Sequence, residues 1–131
     1  MRVLALDYGS ARCGCALSDP SGTLATPLGP VERPGTRAGL ARIAALVRER
    51  DVERVVVGLP LTLRGEEGSQ AIETRDFVAR LAGGLDVEVE MYDERLTTRQ
   101  ARTGHGSAGL DSRAAAHLLD AYLAAVVRPG R

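Results

Sequence analysis

Two short apolar runs constrain the fold of this 131-residue chain more than any other feature. The run Val55–Val57 lacks the alternation of apolar and polar residues that a half-exposed strand shows, so it predicts a central strand buried on both faces. The run Val3–Leu6 is too short for a helix and predicts a second buried strand. Strands buried on both faces need helices on either side of their sheet, so these runs indicate an α/β protein.

The order of the predicted elements supports the same fold class. Strands are expected at residues 2–7, 12–18, 23–31, 54–58 and 86–92, and helices at 37–50, 69–82, 97–104 and 111–127. The first three strands follow one another through short turns, which favours antiparallel pairing, whereas strands and helices alternate afterwards, which favours parallel pairing. We therefore expect a mixed five-stranded sheet flanked by helices. Residues 1–131 should form a single domain, because no linker or repeat divides them.

Three carboxylates stand at the ends of predicted elements that are far apart in the sequence. Asp7 ends the first strand, Glu94 follows the strand VEVEMY, and Asp111 opens the last helix. In open α/β sheets, ligands bind at the carboxyl ends of the strands. Three acids that converge there are what a divalent-metal phosphodiesterase needs, because Mg²⁺ and Mn²⁺ prefer oxygen ligands.

Helical geometry distinguishes the acids of the last helix. At about 100° per residue, Asp111 lies on the apolar side of this helix, whereas Asp120 falls on the opposite side and is expected to face solvent. The apolar stripe that Asp111 shares consists of Ala115, Leu118, Tyr122 and Ala125.

Each acid also has a simpler structural interpretation that the residues alone leave open. Asp7 could cap the turn that follows it, as Asp beside Gly often does. Glu94 and its neighbour Asp93 could be a polar segment that leads into the next helix. Asp111 could be an N-cap that binds the free amides of the first helical turn.

Four segments of the chain together resemble the YqgF/RuvX family. They are LALDYGSARCGCALSD, VVVGLPLTLRGEEGSQ, YDERLTT and DSRAAAHLL, in this order and over nearly the whole chain. That family is described as Holliday-junction resolvases and as nucleases that mature the small-subunit ribosomal RNA precursor. The resemblance implies a ribonuclease H-like fold with strand order 3-2-1-4-5. It also implies that Asp7, Glu94 and Asp111 are catalytic and bind the metal.

One segment departs from the family pattern. Between YDERLTT and Asp111 this chain has only RQARTGHGSAGL, where the family has a longer connection with a Lys/Arg cluster just before the Asp. The loop that would face the substrate is shorter and less basic here. This difference bears on affinity and substrate choice more than on the acids.

The charge pattern excludes some kinds of chemistry. All 17 basic residues are Arg, so Schiff-base catalysis and a P-loop lysine are excluded. A net charge of +0 argues against a broad basic surface that coats nucleic acid without regard to sequence. A local patch remains possible, with solubilising surface charge as the alternative. The arginines near the proposed acids, which we expect to contact nucleic acid, are Arg64, Arg95, Arg99 and Arg102.

Together these features predict a nuclease that uses Mg²⁺ or Mn²⁺ to hydrolyse phosphodiester bonds of structured RNA or branched DNA. We expect a cytoplasmic protein with no membrane contact, because the chain has neither a signal-peptide pattern nor a membrane-spanning apolar segment. A four-way junction needs two symmetric sites, and hence a homodimer. Two alternatives remain open. One is a non-catalytic nucleic-acid or ribosome-assembly module, and the other is a half-domain like those of actin-like ATPases.

Overall fold

The computed structural model describes residues 1–62, 64–94 and 110–127, with Leu110 and Asp111 described by their backbone alone. The elements are β1 Val3–Asp7, β2 Arg12–Ser18, β3 Ala25–Glu32, α1 Arg37–Glu49, β4 Arg54–Leu59, α2 Ser69–Ala82, β5 Glu88–Asp93 and α3 Leu110–Tyr122, which a π-helical turn, Leu123–Val127, continues. They begin and end close to the predicted bounds. The helix predicted at 97–104 lies outside the described residues. None of the described helices is long and apolar enough to cross a membrane.

The five strands form one mixed sheet in the order β3-β2-β1-β4-β5. β2 is antiparallel to both β1 and β3, whereas β4 is parallel to β1 and β5 is parallel to β4. This arrangement confirms the predicted mixed sheet and its strand order. Because β1, β4 and β5 run in the same direction, they end at one side of the sheet, which we term the carboxyl edge.

The two strands predicted from apolar runs, β1 and β4, lie side by side at the centre of the sheet and are buried on both faces. Alternate residues of each strand therefore contribute to two separate cores. The core with α1 and α2 includes Leu4, Leu6, Val55 and Val57. The core with α3 includes Val3, Ala5 and Val56.

The first turn of α3 is fixed to the sheet by a buried serine. The Ser112 hydroxyl donates to the carbonyl of Leu28 in β3 (2.6 Å) and accepts from the amide of Cys15 in β2 (3.4 Å). Cys15 is paired with Leu6, one residue before the end of β1. The start of α3 therefore lies at the carboxyl edge.

The last turn of α3 is fixed at the opposite end of the sheet. The Tyr122 hydroxyl accepts from the guanidinium of Arg54, the first residue of β4, and donates to Glu90 of β5, each at 2.7 Å. The Tyr122 ring also packs edge-on against Tyr92, with 5.6 Å between centroids. α3 therefore runs antiparallel to β1 and β4, along the face of the sheet opposite to α1 and α2.

The predicted apolar stripe of the last helix is correct up to Tyr122 and wrong at Ala125. Ala115, Leu118 and Tyr122 are at most 2% exposed, whereas Ala125 is exposed. The π-helical turn that follows Tyr122 has more residues per turn than an α-helix, so each residue rotates by less than about 100°. Ala125 is consequently turned away from the sheet.

β3 is an edge strand with an interrupted hydrogen-bonding pattern. Pro27 and Pro30 have no amide hydrogen, and the pairing of β3 with β2 shifts between Cys13 and Cys15. Most residues of β3 are exposed. Prolines and bulges of this kind hinder an edge strand from pairing with another chain.

We expect Ser112→Ala to lower the free energy of unfolding by about 1–3 kcal/mol, the cost of leaving buried hydrogen-bonding groups without a partner. Ser10→Ala removes the same atom from an exposed position in the β1–β2 turn and should change the stability by less than about 0.5 kcal/mol. Urea unfolding followed by circular dichroism measures both. Equal stabilities of the two variants would contradict the role of Ser112 in holding α3 to the sheet.

Candidate active site

Asp7, the last residue of β1, lies at the carboxyl edge on the face of the sheet that α3 covers. Alternation along β1 puts Asp7 on the same side as Val3 and Ala5, which pack beneath α3. Asp7 pairs with Gly14 of β2 and is partly buried. The first predicted acid therefore stands where the central strand leaves the core.

Glu94 is the first residue after β5, and its carboxylate lies over the backbone of β4. A methyl group added at Gly58 would lie 3.0 Å from Oε2 of Glu94 and 3.5 Å from its Cδ. The same methyl group would lie 3.3 Å from Cδ2 of Leu118 in α3. The carboxylate therefore occupies space that any side chain at position 58 would take, and we term this space the glycine seat.

The register of the sheet brings Asp7 and Glu94 to the same place. Leu6 pairs with Val57, so the next residues along the two strands, Asp7 and Gly58, stand side by side. Neighbouring strands lie about 4.8 Å apart. Because the Glu94 carboxylate lies over Gly58, both acids are on one face of the sheet at the carboxyl edge.

Asp111 is the second residue of α3 and directly precedes Ser112. Since Ser112 ties this turn to β2 and β3, the backbone of Asp111 lies at the carboxyl edge, on the same face as Asp7. Its side chain lies outside the described part of the chain. The structure thus brings two of the three predicted acids together and brings the backbone of the third to the same edge.

Burial raises the pKa of Glu94, and the charge of the adjacent Asp93 raises it further. A carboxyl group that loses water and faces a second negative charge favours its neutral form. A bound cation reverses this preference, because positive charge stabilises the ionised carboxylate. The electrostatics of this position therefore favour either a proton or a cation.

The donors present here fit a hard divalent cation. The carboxylate oxygens of Asp7 and Glu94 are ligands that suit Mg²⁺ and Mn²⁺, and the glycine seat admits the Glu94 carboxylate to the edge. No group of three His, Cys, Asp or Glu side chains converges among the residues that the structure describes. The third predicted ligand, Asp111, has its side chain outside that set.

Arg64 is exposed in the loop between β4 and α2, which begins at the carboxyl edge. A tight turn carries it, in which the amide of Thr62 donates to the carbonyl of Glu66 (2.9 Å) and the amide of Gly65 donates to that of Thr62 (2.8 Å). Arg64 is thus held at the same edge as the acids. The other arginines predicted to contact nucleic acid, Arg95, Arg99 and Arg102, lie outside the described residues.

An ion pair braces the end of this loop against α2. Arg75 donates two hydrogen bonds to the carboxylate of Glu67, at 2.7 and 2.6 Å. Parallel bonds between a guanidinium and a carboxylate are among the stronger and more directional contacts in proteins. The loop that carries Arg64 is therefore attached to a rigid element just before α2 begins.

Gly58 is the residue of this site that the sequence interpretation missed. It stands in the strand RVVVGL, where a glycine packs poorly and weakens the strand. A lone glycine in such a strand often marks the close approach of another group. That signal could have located the seat, although it does not say which side chain fills it.

The chain is similar in sequence to proteins of known families. The model of a family described as "RuvX: Holliday junction resolvase" matches residues 1–127. A protein of Anaeromyxobacter sp. (strain Fw109-5) named "Putative pre-16S rRNA nuclease" is 43% identical over 130 residues, which cover 99% of this chain and 95% of that protein. A protein of the same name from Chloroflexus aggregans is 50% identical over 96 residues, which cover 73% of this chain and 68% of that protein.

The fold is also similar to that of a solved structure, "T. thermophilus RuvC in complex with Holliday junction substrate". The superposition has a TM-score of 0.62 at 18% identity and covers 93% of this chain and 94% of the other. A likeness at that identity concerns the fold alone. It confirms the ribonuclease H-like architecture that the motifs predicted.

We expect Glu94→Gln to stabilise the metal-free protein at about pH 7. Because the pKa of Glu94 is raised in the folded state, the folded protein binds this proton more tightly than the unfolded chain does. The stability that this proton contributes is complete below the unfolded pKa of about 4.3 and is lost as the pH rises through the folded value. Glutamine is uncharged at every pH, whereas Glu94 becomes protonated and neutral as the pH falls. The difference in the free energy of unfolding between variant and parent should therefore shrink at low pH.

Urea unfolding in EDTA at about pH 7 and about pH 4 measures this difference. Glu66→Gln is the control, since Glu66 is exposed in the β4–α2 loop. A Glu94→Gln protein that is less stable than the parent at about pH 7 would show that the carboxylate is not electrostatically strained.

Proposed function

Because this chain belongs to the RuvX family, we propose that it is a divalent-metal-dependent nuclease that hydrolyses phosphodiester bonds in the precursor of small-subunit ribosomal RNA. The observation that carries the proposal is the pairing of Asp7 and Glu94 on one face of the carboxyl edge, with Glu94 in the glycine seat. The choice of substrate follows a relative that aligns over almost its whole length and is named for that RNA.

The proposed metal ligands are Asp7, Glu94 and Asp111. When bound, Mg²⁺ or Mn²⁺ supplies an activated water and stabilises the charge that develops on the phosphoryl oxygens during in-line hydrolysis. The described structure fixes the positions of Asp7 and Glu94 and the backbone of the turn that carries Asp111. β1 fixes Asp7 through its hydrogen-bonded neighbours, Gly58 lets Glu94 reach over β4, and Ser112 anchors the turn that carries Asp111.

The proposed contacts to the substrate backbone come from the loops at the same edge. Arg64 is exposed on a loop at this edge, and the Glu67–Arg75 pair braces the end of that loop against α2. The planar guanidinium group matches the geometry of phosphate. Arg95, Arg99 and Arg102 directly follow Glu94 in the sequence and are proposed to add to this surface.

Resolution of four-way DNA junctions is the second candidate, favoured by the description of the RuvX family as a Holliday junction resolvase. That activity cuts two strands and needs two sites related by symmetry, so it requires a homodimer. Processing of an RNA end needs one site. The substrate test below therefore includes both nucleic acids.

We expect the purified protein to cleave a labelled precursor RNA spanning the 5′ end of the small-subunit RNA in Mg²⁺ or Mn²⁺ and not in EDTA. Asp7→Asn and Glu94→Gln should each lower the rate by more than about 100-fold, which exceeds the usual effect of losing an outer-sphere partner. Asp120→Asn is the control, because Asp120 is exposed on the far side of α3. Denaturing gels with the RNA and a synthetic four-way DNA junction measure rate and substrate preference.

Cleavage that persists in EDTA or in both acid variants would refute the proposed site. Binding of RNA by the parent without cleavage in either metal would instead favour a non-catalytic nucleic-acid module. Cleavage of the junction alone would favour the second candidate.

We expect Gly58→Ala to impair cleavage because its methyl group would displace the Glu94 carboxylate. The shift that relieves this contact is a few tenths of an ångström, so we expect a smaller loss than the roughly 100-fold that a displacement of about 1 Å at a reacting centre can cause. Gly29→Ala is a matched control, since nothing lies within 4 Å of its added methyl group. In a Glu94→Gln background the Gly58 substitution should have no further effect on the rate. Independent and additive losses would show that Gly58 acts by some other route.

A further inference from the structure

A second group of arginines stands at the carboxyl edge, on the side of Asp7 away from Arg64. In the strand order, β4 and the loop that carries Arg64 lie on one side of β1, and β2 and β3 lie on the other. Arg33 directly follows β3, and its amide donates to the carbonyl of Ala11 in the β1–β2 turn (2.9 Å). Since that turn begins after Asp7, Arg33 is joined to the segment that positions the first acid.

Arg33 occupies a backbone conformation that favours glycine. Its φ angle is 44°, in the left-handed region. This conformation is unfavourable for any residue that has a side chain, because the Cβ atom lies too close to the backbone. The carbonyl of Arg33 accepts hydrogen bonds from the amide (3.1 Å) and the hydroxyl (2.8 Å) of Thr36. The same carbonyl lies so close to Gly39 that a side chain at position 39 would collide with it. The turn is therefore tightly packed. A residue with a side chain at such a strained position raises the hypothesis that this side chain has a role.

The charges of this turn are not neutralised by the protein. Arg33 and Arg37 are exposed and form no ion pair with any carboxylate in the part of the chain that the structure describes. Arg12 lies at the same edge and is paired with Glu32 at 3.5 Å. Arg37 is also the first residue of α1, where the helix dipole disfavours a cation and favours an anion. The turn is therefore an electropositive surface at the carboxyl edge, on the side of the sheet that α1 and α2 cover, and a strand that passes over Asp7 would have to cross the edge to reach it.

We propose that Arg33 and Arg37 bind phosphates of the nucleic-acid strand that crosses the acid centre. The backbone of that strand then follows the carboxyl edge, from the β4–α2 loop with Arg64, over Asp7, to the β3–α1 turn. Contacts of this kind position a strand without reading its sequence. The inference rests on the proposed nuclease function and extends it by giving the path of the substrate.

The test measures binding to two labelled probes, an RNA hairpin with a single-stranded 5′ extension and a four-way DNA junction. Ca²⁺ replaces the catalytic metal, and denaturing gels verify that the probes stay intact. The full-length variants are Arg33→Gly and Arg37→Ala, with Arg48→Ala as the control that removes an exposed charge at the other end of α1. Affinities are measured between about 50 and 200 mM salt.

We expect Arg33→Gly and Arg37→Ala each to weaken binding about tenfold and to lower the salt slope by about 1, the effect of one lost phosphate contact. Arg48→Ala should change neither quantity. The melting temperature of Arg33→Gly should not fall below that of the parent, because glycine adopts a positive φ without strain. This readout separates a lost phosphate contact from a damaged fold.

Affinities and salt slopes that match those of the Arg48→Ala control would overturn the inference, and so would a parent that binds neither probe. Cleavage of the same probes in Mn²⁺ keeps the two proposals apart. A parent that binds through these arginines and cleaves nothing supports the strand path and refutes the nuclease. A parent that cleaves normally, with variants that bind like the control, supports the nuclease and refutes the strand path. Comparison of the two probes shows whether RNA or DNA follows the path.

Discussion

Two adjacent strands whose central residues are all apolar cannot expose either face to water, so the sheet must carry helices on both sides. β1 and β4 impose this condition, with Val3–Leu6 and Val55–Val57 fully buried. Because the two runs are paired in register, both apolar stretches stop at the same level of the sheet. Directly beyond that level stand Asp7, the residue that ends β1, and Gly58, which has no side chain. The position of the acid centre thus follows from the core.

The acid centre stands where burial and a like charge disfavour the ionised form of Glu94. The α3 layer removes water from the face on which Glu94 lies, with Leu118 against the glycine seat and Asp93 adding a like charge nearby. Without a bound cation, an ionised Glu94 at this position lowers the stability of the folded state. Residues held at such a cost are typical of functional sites, where binding releases the strain. Stability and ligand binding are therefore opposed at this one edge of the sheet.

Local patterns sufficed for the elements that the structure describes and failed for contacts between distant segments. The apolar runs predicted β1 and β4, and helical periodicity predicted the buried stripe as far as Tyr122. No local signal marks the π-helical turn that exposes Ala125, and none connects Ser112 to a carbonyl 84 residues away. The strand order came from the family motifs, because periodicity does not specify which strands are neighbours. The contact between Gly58 and Glu94 likewise depends on the register of β5 beside β4, which only the folded chain reveals.

The irregular edge strand limits how two copies of this chain could associate. With Pro27, Pro30 and a shifted register, β3 presents an incomplete row of donors to an incoming strand. Two copies could not readily merge their sheets through this strand into one continuous layer. A symmetric pair built to cut both arms of a branched substrate would instead meet through another surface, such as the second edge strand, β5, or a helix or loop. In a pair that meets through helices or loops, the spacing between the two cutting sites would be set by side-chain packing and not by the regular interval of a shared sheet.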